Sequence, residues 1–426
     1  MRPTDAQILE AVADGFQDTV ELTKALTRIP SQRGAEGPAH DLYARELRAR
    51  GYHTEMFPIE LDLIRDHPGF SPVTVDYNNV FNVVGTHRPR KETGRSLILN
   101  GHVDVVPTGP VEGWSASPYS AHVEGDWLYG RGSGDMKAGL AANLAALDAL
   151  RRLGLQPAAT VHIQCVSEEE CTGNGALACV AKGYRADAAI IPEPQDETLT
   201  RANTGAIWFR VHVEGEAVHA RTAGTGSNAI ETMYDVIQAL RGLEAAWNER
   251  RHTVPHFEAL DHPINLNIGK IEGGDWASSV PAWCVADCRI ALFPGMNARE
   301  AAKEVEQAVA EAARAHPVLA NRPPRVEFNG FMAEGYVLEE GSNAERTLAK
   351  AHLTAHHAPL RAEVSRGYLD GRVFVLYQGT PCLVYGPVAE NIHGFNERVN
   401  LPSLQRVTGT IALFIADWCG VEPINP

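Results

Sequence analysis

Residues 96–107 read SLILNGHVDVVP, an apolar run of strand length that leads through Asn100 and Gly101 to His102 and Asp104. A short apolar run bounded by turn residues fits a buried strand. The H-x-D that follows puts an imidazole and a carboxylate at the strand's carboxyl end. Downstream the arrangement recurs. The glycine-rich segment GRGSGD carries Asp135 into an Ala/Leu helix over Met136–Leu150. Thr160–Val166 (TVHIQCV) is a strand followed by Glu168, Glu169 and Glu170, and Gly175–Lys182 is a short helix. Ala188–Ile191 is a strand again, with Glu193 just beyond it, and His393 lies shortly after PCLVYG at 381–386. Alternating strands and helices imply an α/β fold, a mostly parallel twisted sheet flanked by helices. In such sheets ligands bind outside the carboxyl ends of the strands.

Before this region, Asp5–Thr27 and Pro38–Arg50 read as amphipathic helices, the second stopped by Gly51. After about residue 204 the rhythm changes. Strand Ala206–Val213 and helix Ser227–Arg250 lead to strands Ile264–Ile271 and Ala282–Leu292, helix Ala298–Ala315 and strand Arg325–Phe328. The order β-α-β-β-α-β is that of a ferredoxin-like unit. The α/β pattern then returns with helix Asn343–His356, strand Pro381–Tyr385 and helix Leu401–Trp418. The expected organisation is a catalytic domain in two parts, 1–204 and 329–426, with an inserted α+β lid and dimerisation domain over 205–328.

The 426-residue chain has a net charge of −15, which argues against nucleic acid or an anionic membrane as partner. Its seven cysteines are scattered without a C-x-x-C, so neither a disulfide framework nor a zinc ribbon is indicated. The N-terminus lacks a basic stretch followed by an apolar core. The most apolar stretch, Gly139–Leu150, is interrupted by Asn143 and Asp148 and is too short to span a bilayer. The expectation is a soluble cytoplasmic protein with reduced thiols.

Three carboxylates and two imidazoles delivered to one sheet edge make a binuclear metal site. The donors suit zinc, manganese or cobalt, and the absence of cysteine among them argues against a purely structural zinc. Asp104 could accept the second ring N–H of His102 and fix its tautomer. Adjacent glutamates after a buried strand repel one another, and cations would compensate. Each signal alone has a bland explanation: H-x-D arises by chance in a chain with 17 histidines, a Glu triplet is often a solvated loop, and Asp before a helix is often an N-cap. Their conjunction at successive strand ends points to a metal site.

These segments resemble those of the co-catalytic metallopeptidases that include aminoacylases, carboxypeptidase G, acetylornithine deacetylases and succinyl-diaminopimelate desuccinylases. GHVDVVP resembles that family's G-H-x-D-x-V-P signature, GRGSGDMKAG its G-x-G-x-x-D-M-K-G/A-G segment, and EEECTGNGA its Glu-Glu-plus-glycine segment. The resemblance runs over essentially the whole chain. It implies that Asp135 bridges two metal ions, that His102 and Glu193 complete one shell and Glu170 and His393 the other, and that Glu169 is the general base. The triplet leaves a register question, Glu169 with Glu170 or Glu168 with Glu169, and counting back from Gly175 favours the former.

In the lid, EGEAVHAR resembles the family's strand-plus-histidine segment, which makes His219 the group that reaches a neighbouring subunit's site and supports the oxyanion. Arg289, in ADCRI, would bind the substrate carboxylate. The implied assembly is a homodimer or higher homo-oligomer through the lid. Two segments depart from the family pattern where it contacts substrate: Ser278 stands where many members carry Asn, and GYLDGRVF (367–374) replaces Gly-Gly-Thr-Asp. Two divalent ions, three carboxylates and a bridging hydroxide are formally neutral together, so a substrate carboxylate needs its own cation, and Arg289 fits. The implied activity is hydrolysis of an amide, in an N-acyl amino acid or small peptide-like molecule, by a metal-bridging hydroxide. The alternatives are a carbamoyl, formyl or aryl-amine C–N bond of a small carboxylate, or a non-catalytic binding module.

Overall fold

The computed structural model describes residues 2–424. Its central sheet has six strands in the order His53–Pro58, Phe81–His87, Val161–Val166, Leu97–His102, Ala188–Ile191 and Cys382–Val384. The last four run parallel to one another, and the first two are added antiparallel. Both faces of the strand Leu97–His102 are covered. Leu97 and Leu99 enter the core beneath the helices Ala138–Arg152 and Leu401–Trp418, while Ile98 enters the opposite core with Leu177 and Phe374. Burial on both faces is why parallel strands read as unbroken apolar runs rather than as alternation.

The two antiparallel strands carry no such signal. His53–Pro58 is largely exposed, and Phe81–His87 is interrupted by Gly85, where an added Cβ would lie 2.6 Å from the Leu47 side chain. The helix expected over Asp5–Thr27 is broken into Asp5–Asp14 and Phe16–Thr27. Gly15 at the break makes room for the Arg152 guanidinium, whose carbon would sit 2.3 Å from a Cβ there.

A second sheet, fully antiparallel, has the order Leu266–Gly273, Trp283–Leu292, Gly205–Glu214, Arg325–Ala333. Numbered along the chain, its strands lie in the order 2-3-1-4, which is the ferredoxin-like arrangement. Helices Ala229–Glu249 and Ala298–Ala315 cover one face over a separate core that includes Phe209, Val236, Trp247, Ile290 and Val305. The last strand continues to Ala333 instead of ending at Phe328, past a register shift opposite Ile207 and Phe209. The face without helices lines a cleft over the carboxyl ends of the parallel strands. Among the described residues no helix is long and apolar enough to cross a membrane. All seven cysteines are free and buried.

Candidate metal centre

The parallel strands bring the ligand candidates to one point. His102 ends its strand fully buried, with Nε2 3.1 Å from Asp135 Oδ1. Asp135 sits in the tight turn Ser133–Lys137 that opens the next helix, and its other oxygen lies 3.3 Å from His393 Nε2. His393 Nε2 is also 3.1 Å from Glu170 Oε1. Glu193 Oε1 stands 3.5 Å from His102 Nε2. Asp135 therefore separates two groups, His102 with Glu193 and His393 with Glu170. Two ligands each about 2.1 Å from a tetrahedral ion are about 3.4 Å apart, so these spacings suit donors that share a cation. Glu193 Oε1 is shut off from solvent and has no hydrogen-bond partner, which suits an oxygen that ligates a cation.

The glutamate triplet divides. Glu168 adopts φ +69° and is fully buried. Its carboxylate accepts from Arg33 Nε at 2.5 Å and Nη2 at 2.7 Å, from the Tyr77 hydroxyl, and from Thr172 Oγ1 at 2.9 Å. Glu169 and Glu170 line the cleft instead, with Glu169 Oε2 3.9 Å from His102 Nε2. Asp104 acts differently from the expectation. Its backbone carbonyl, not its carboxylate, takes the close contact with His102 Nδ1, at 2.9 Å against 3.6 Å. The Asp104 carboxylate accepts the Glu170 N–H at 3.1 Å, because the two strand exits lie side by side.

Arg131 and Glu397 escaped the sequence reading. Glu397 accepts the N–H groups of Gly134 and Asp135 at 3.0 and 3.1 Å. Its other oxygen pairs with Arg131 Nη1 at 2.5 Å, and Arg131 Nη2 donates to the Gly394 carbonyl at 3.1 Å. One buried ion pair thus ties the Asp135 turn to the loop bearing His393. Such supports orient ligands without touching the ion.

The crowding of acids shows in their protonation. Burial pushes Glu169 well above the usual carboxylate range; His102 opposes this, and the charges of Glu193, Asp370 and Glu170 add to it. Burial raises Glu193 to about 8 even beside His102. Burial would lower His393, but Glu170 and Asp135 outweigh it and hold the imidazole up at about 11. Burial would raise Asp135, yet His102 and His393 hold it below its ordinary value. Carboxylates packed this closely in a buried site cannot all ionise at neutral pH unless cations share the space.

The cleft has a volume of about 910 Å³. Arg289 lines its lid side, and burial, the sole influence on its guanidinium, lowers its pKa with no acid to offset it. The neighbouring Arg210 is neutralised by Asp287 at 2.6 Å. His219 and Ser278 are not among the residues lining this cleft. Both are exposed on the lid and adjoin each other, the Ala220 N–H donating to the Ser278 carbonyl at 2.9 Å.

Known proteins resemble this chain in sequence and in fold. The family described as "Peptidase family M20/M25/M40" matches residues 98–417. The chain is 31% identical over 362 residues to N-formyl-4-amino-5-aminomethyl-2-methylpyrimidine deformylase of Halalkalibacterium halodurans, covering 81% of this chain and 83% of that protein. It is 26% identical over 413 residues to succinyl-diaminopimelate desuccinylase of Dinoroseobacter shibae, covering 94% and 99%. In fold it is similar to human carnosine dipeptidase 1, with a TM-score of 0.79 at 16% identity over 98% of this chain and 100% of that one. The dipeptidase Dug1p of Saccharomyces cerevisiae gives a TM-score of 0.80 at 15% identity over 98% and 99%. The chain therefore belongs to peptidase family M20/M25/M40 and is a hydrolase.

Proposed function

We propose that this hydrolase cleaves an amide bond in a small carboxylate-bearing substrate, an N-acyl amino acid or small peptide-like molecule, with two divalent ions. Zinc is the first choice, with manganese or cobalt as alternatives. The observation that carries the reading is the Asp135 carboxylate, one oxygen toward His102 and the other toward His393. His102 and Glu193 would hold one ion, Glu170 and His393 the other, with Asp135 between. When bound, the ions supply Lewis acidity and lower the pKa of water.

The chain's own groups do the rest. Glu169 takes the proton of the attacking water and returns it to the leaving amine. The assignment of Glu169 over Glu168 is supported by the Arg33 pair, which turns Glu168 out of the cleft. Asp104 holds the His102 ring through its carbonyl and the Glu170 backbone through its carboxylate. Arg289, without an acid partner, binds the substrate carboxylate. The ferredoxin-like unit is a lid that pairs two chains, so that His219, with Ser278 beside it, completes the neighbour's site and His219 stabilises the oxyanion. Its setting is the cytoplasm. A formyl group as the acyl portion has independent support in the deformylase name of a 31% identical relative.

The test is a panel of N-formyl, N-acetyl, N-succinyl and N-carbamoyl amino acids and dipeptides, assayed with zinc, manganese or cobalt. Turnover of at least one amide is expected, and turnover of none contradicts the reading. On the best substrate, Arg289→Ala should raise KM about 10- to 100-fold, because a charge-assisted contact worth roughly 1.5–3 kcal/mol is lost. An unchanged KM removes Arg289 from substrate binding.

A further inference from the structure

Among the side chains that the lid sheet turns toward the cleft, one row crosses three strands. Trp208 on Gly205–Glu214 stands opposite Arg289 on Trp283–Leu292, and Arg289 stands opposite Asn267 on Leu266–Gly273. On the other flank the pairing with Arg325–Ala333 slips, since Ile207 faces Met332 while Phe209 faces Phe328. Bulges re-aim side chains near active sites, and here Asn329 and Phe331 both reach the cleft. Phe331 packs edge-on against Trp208, with centroids 5.3 Å apart at 88°. It also packs against Tyr368 at 4.4 Å and 38°. The three rings form one continuous wall.

Two glycines set this wall against the reacting end of the cleft. A Cβ at Gly330 would lie 2.6 Å from the Trp208 ring and 3.1 Å from the carbonyl oxygen of Cys171, the residue after Glu170. A Cβ at Gly173, which has φ +70°, would lie 1.9 Å from the Tyr368 hydroxyl. Bare backbone thus lets Gly330 fit between the Trp208 ring and the Cys171 carbonyl, and lets the Tyr368 hydroxyl approach Gly173 in the turn that follows Glu170. Across the strands, Trp208 and Arg289 are direct partners, with Cβ atoms about 5 Å apart in such pairs. A flat ring and an anionic group of one small molecule can therefore be held side by side.

The geometry points to an aryl subsite: the substrate carries a planar aromatic or heteroaromatic group near its carboxylate, packed on Trp208 and Phe331 while the carboxylate meets Arg289. This rests on the amide-hydrolase reading above and adds the substrate class. Ring geometry separates it from a general apolar slot. A saturated ring of equal size buries at least as much apolar surface, but it lacks the quadrupole that favours edge-on and offset packing.

The test is calorimetry on the full-length protein loaded with zinc, using 3-phenylpropanoate and 3-cyclohexylpropanoate, which have no scissile bond. The phenyl acid should bind about fivefold to tenfold more tightly. That preference should fall within about twofold in Trp208→Leu and in Phe331→Leu. Should Trp208→Leu fail to fold, the unmodified protein and Phe331→Leu decide the matter. Equal affinity for the two acids, or a preference that survives the substitutions, overturns the subsite. Turnover of the amide panel by the same preparation is scored separately. Turnover with equal affinities removes the aryl subsite alone, and a phenyl preference without turnover removes the amide reading alone.

Discussion

Glu169→Gln should retain both metal ions and lose about 10²–10⁴-fold in kcat, the range typical of a positioned proton-transfer group. The amide of Gln is nearly isosteric with the carboxylate and keeps the turn's packing, but it cannot take a proton from water. Glu170→Gln should behave differently. Its Oε1 shares His393 with Asp135, so weakening it should empty that half of the site, and elemental analysis should show the loss. Glu168→Gln should keep its metals and its base and show mainly lower stability, because it loosens the buried bond to Arg33. If Glu168→Gln is the inactive, metal-replete variant, the register is off by one. If the phenotypes of Glu169 and Glu170 are exchanged, base and ligand have been interchanged.

The second large effect concerns His219. Since it does not line its own chain's cleft, the proposed two-fold pairing of lids predicts complementation. Homodimers of Glu169→Ala and of His219→Ala should each be nearly inactive. Mixing them with subunit exchange makes about half of the dimers hybrid. Each hybrid has one site with both defects and one with neither, so about a quarter of wild-type activity should return. Were His219 to serve its own subunit, every site would carry a defect and the mixture would stay silent. Exchange is followed with a mass label, so a silent mixture places His219 in its own subunit or outside the mechanism.

The parts of the site that lie at parallel strand ends were legible in the sequence. Buried strands such as Ala188–Ile191 are short apolar runs with sharp ends, and His102 lies at such an end while the Glu triplet and Glu193 fall just past theirs. The two antiparallel strands His53–Pro58 and Phe81–His87 were not legible, because the first is mostly exposed and Gly85 interrupts the second. Charged supports were hidden for another reason. Arg131 with Glu397, and Arg33 with Glu168, are far apart in the chain and meet only when it folds. The aromatic wall depends on a bulge and on which face of the lid sheet meets the cleft, and alternation alone does not choose between faces. The departure at 367–374 was visible, but that Tyr368 donates to buried Asp370 at 2.8 Å beside the Glu169 turn needed the structure.

The proposed chemistry requires two ions, one on each side of Asp135. Anomalous diffraction at the zinc edge, recorded from crystals of active zinc-loaded protein, tests this most directly. It should show two peaks per chain on either side of the Asp135 carboxylate, one beside His102 and Glu193 and the other beside Glu170 and His393. A single peak, or peaks away from Asp135 in a preparation that still turns over substrate, would contradict it.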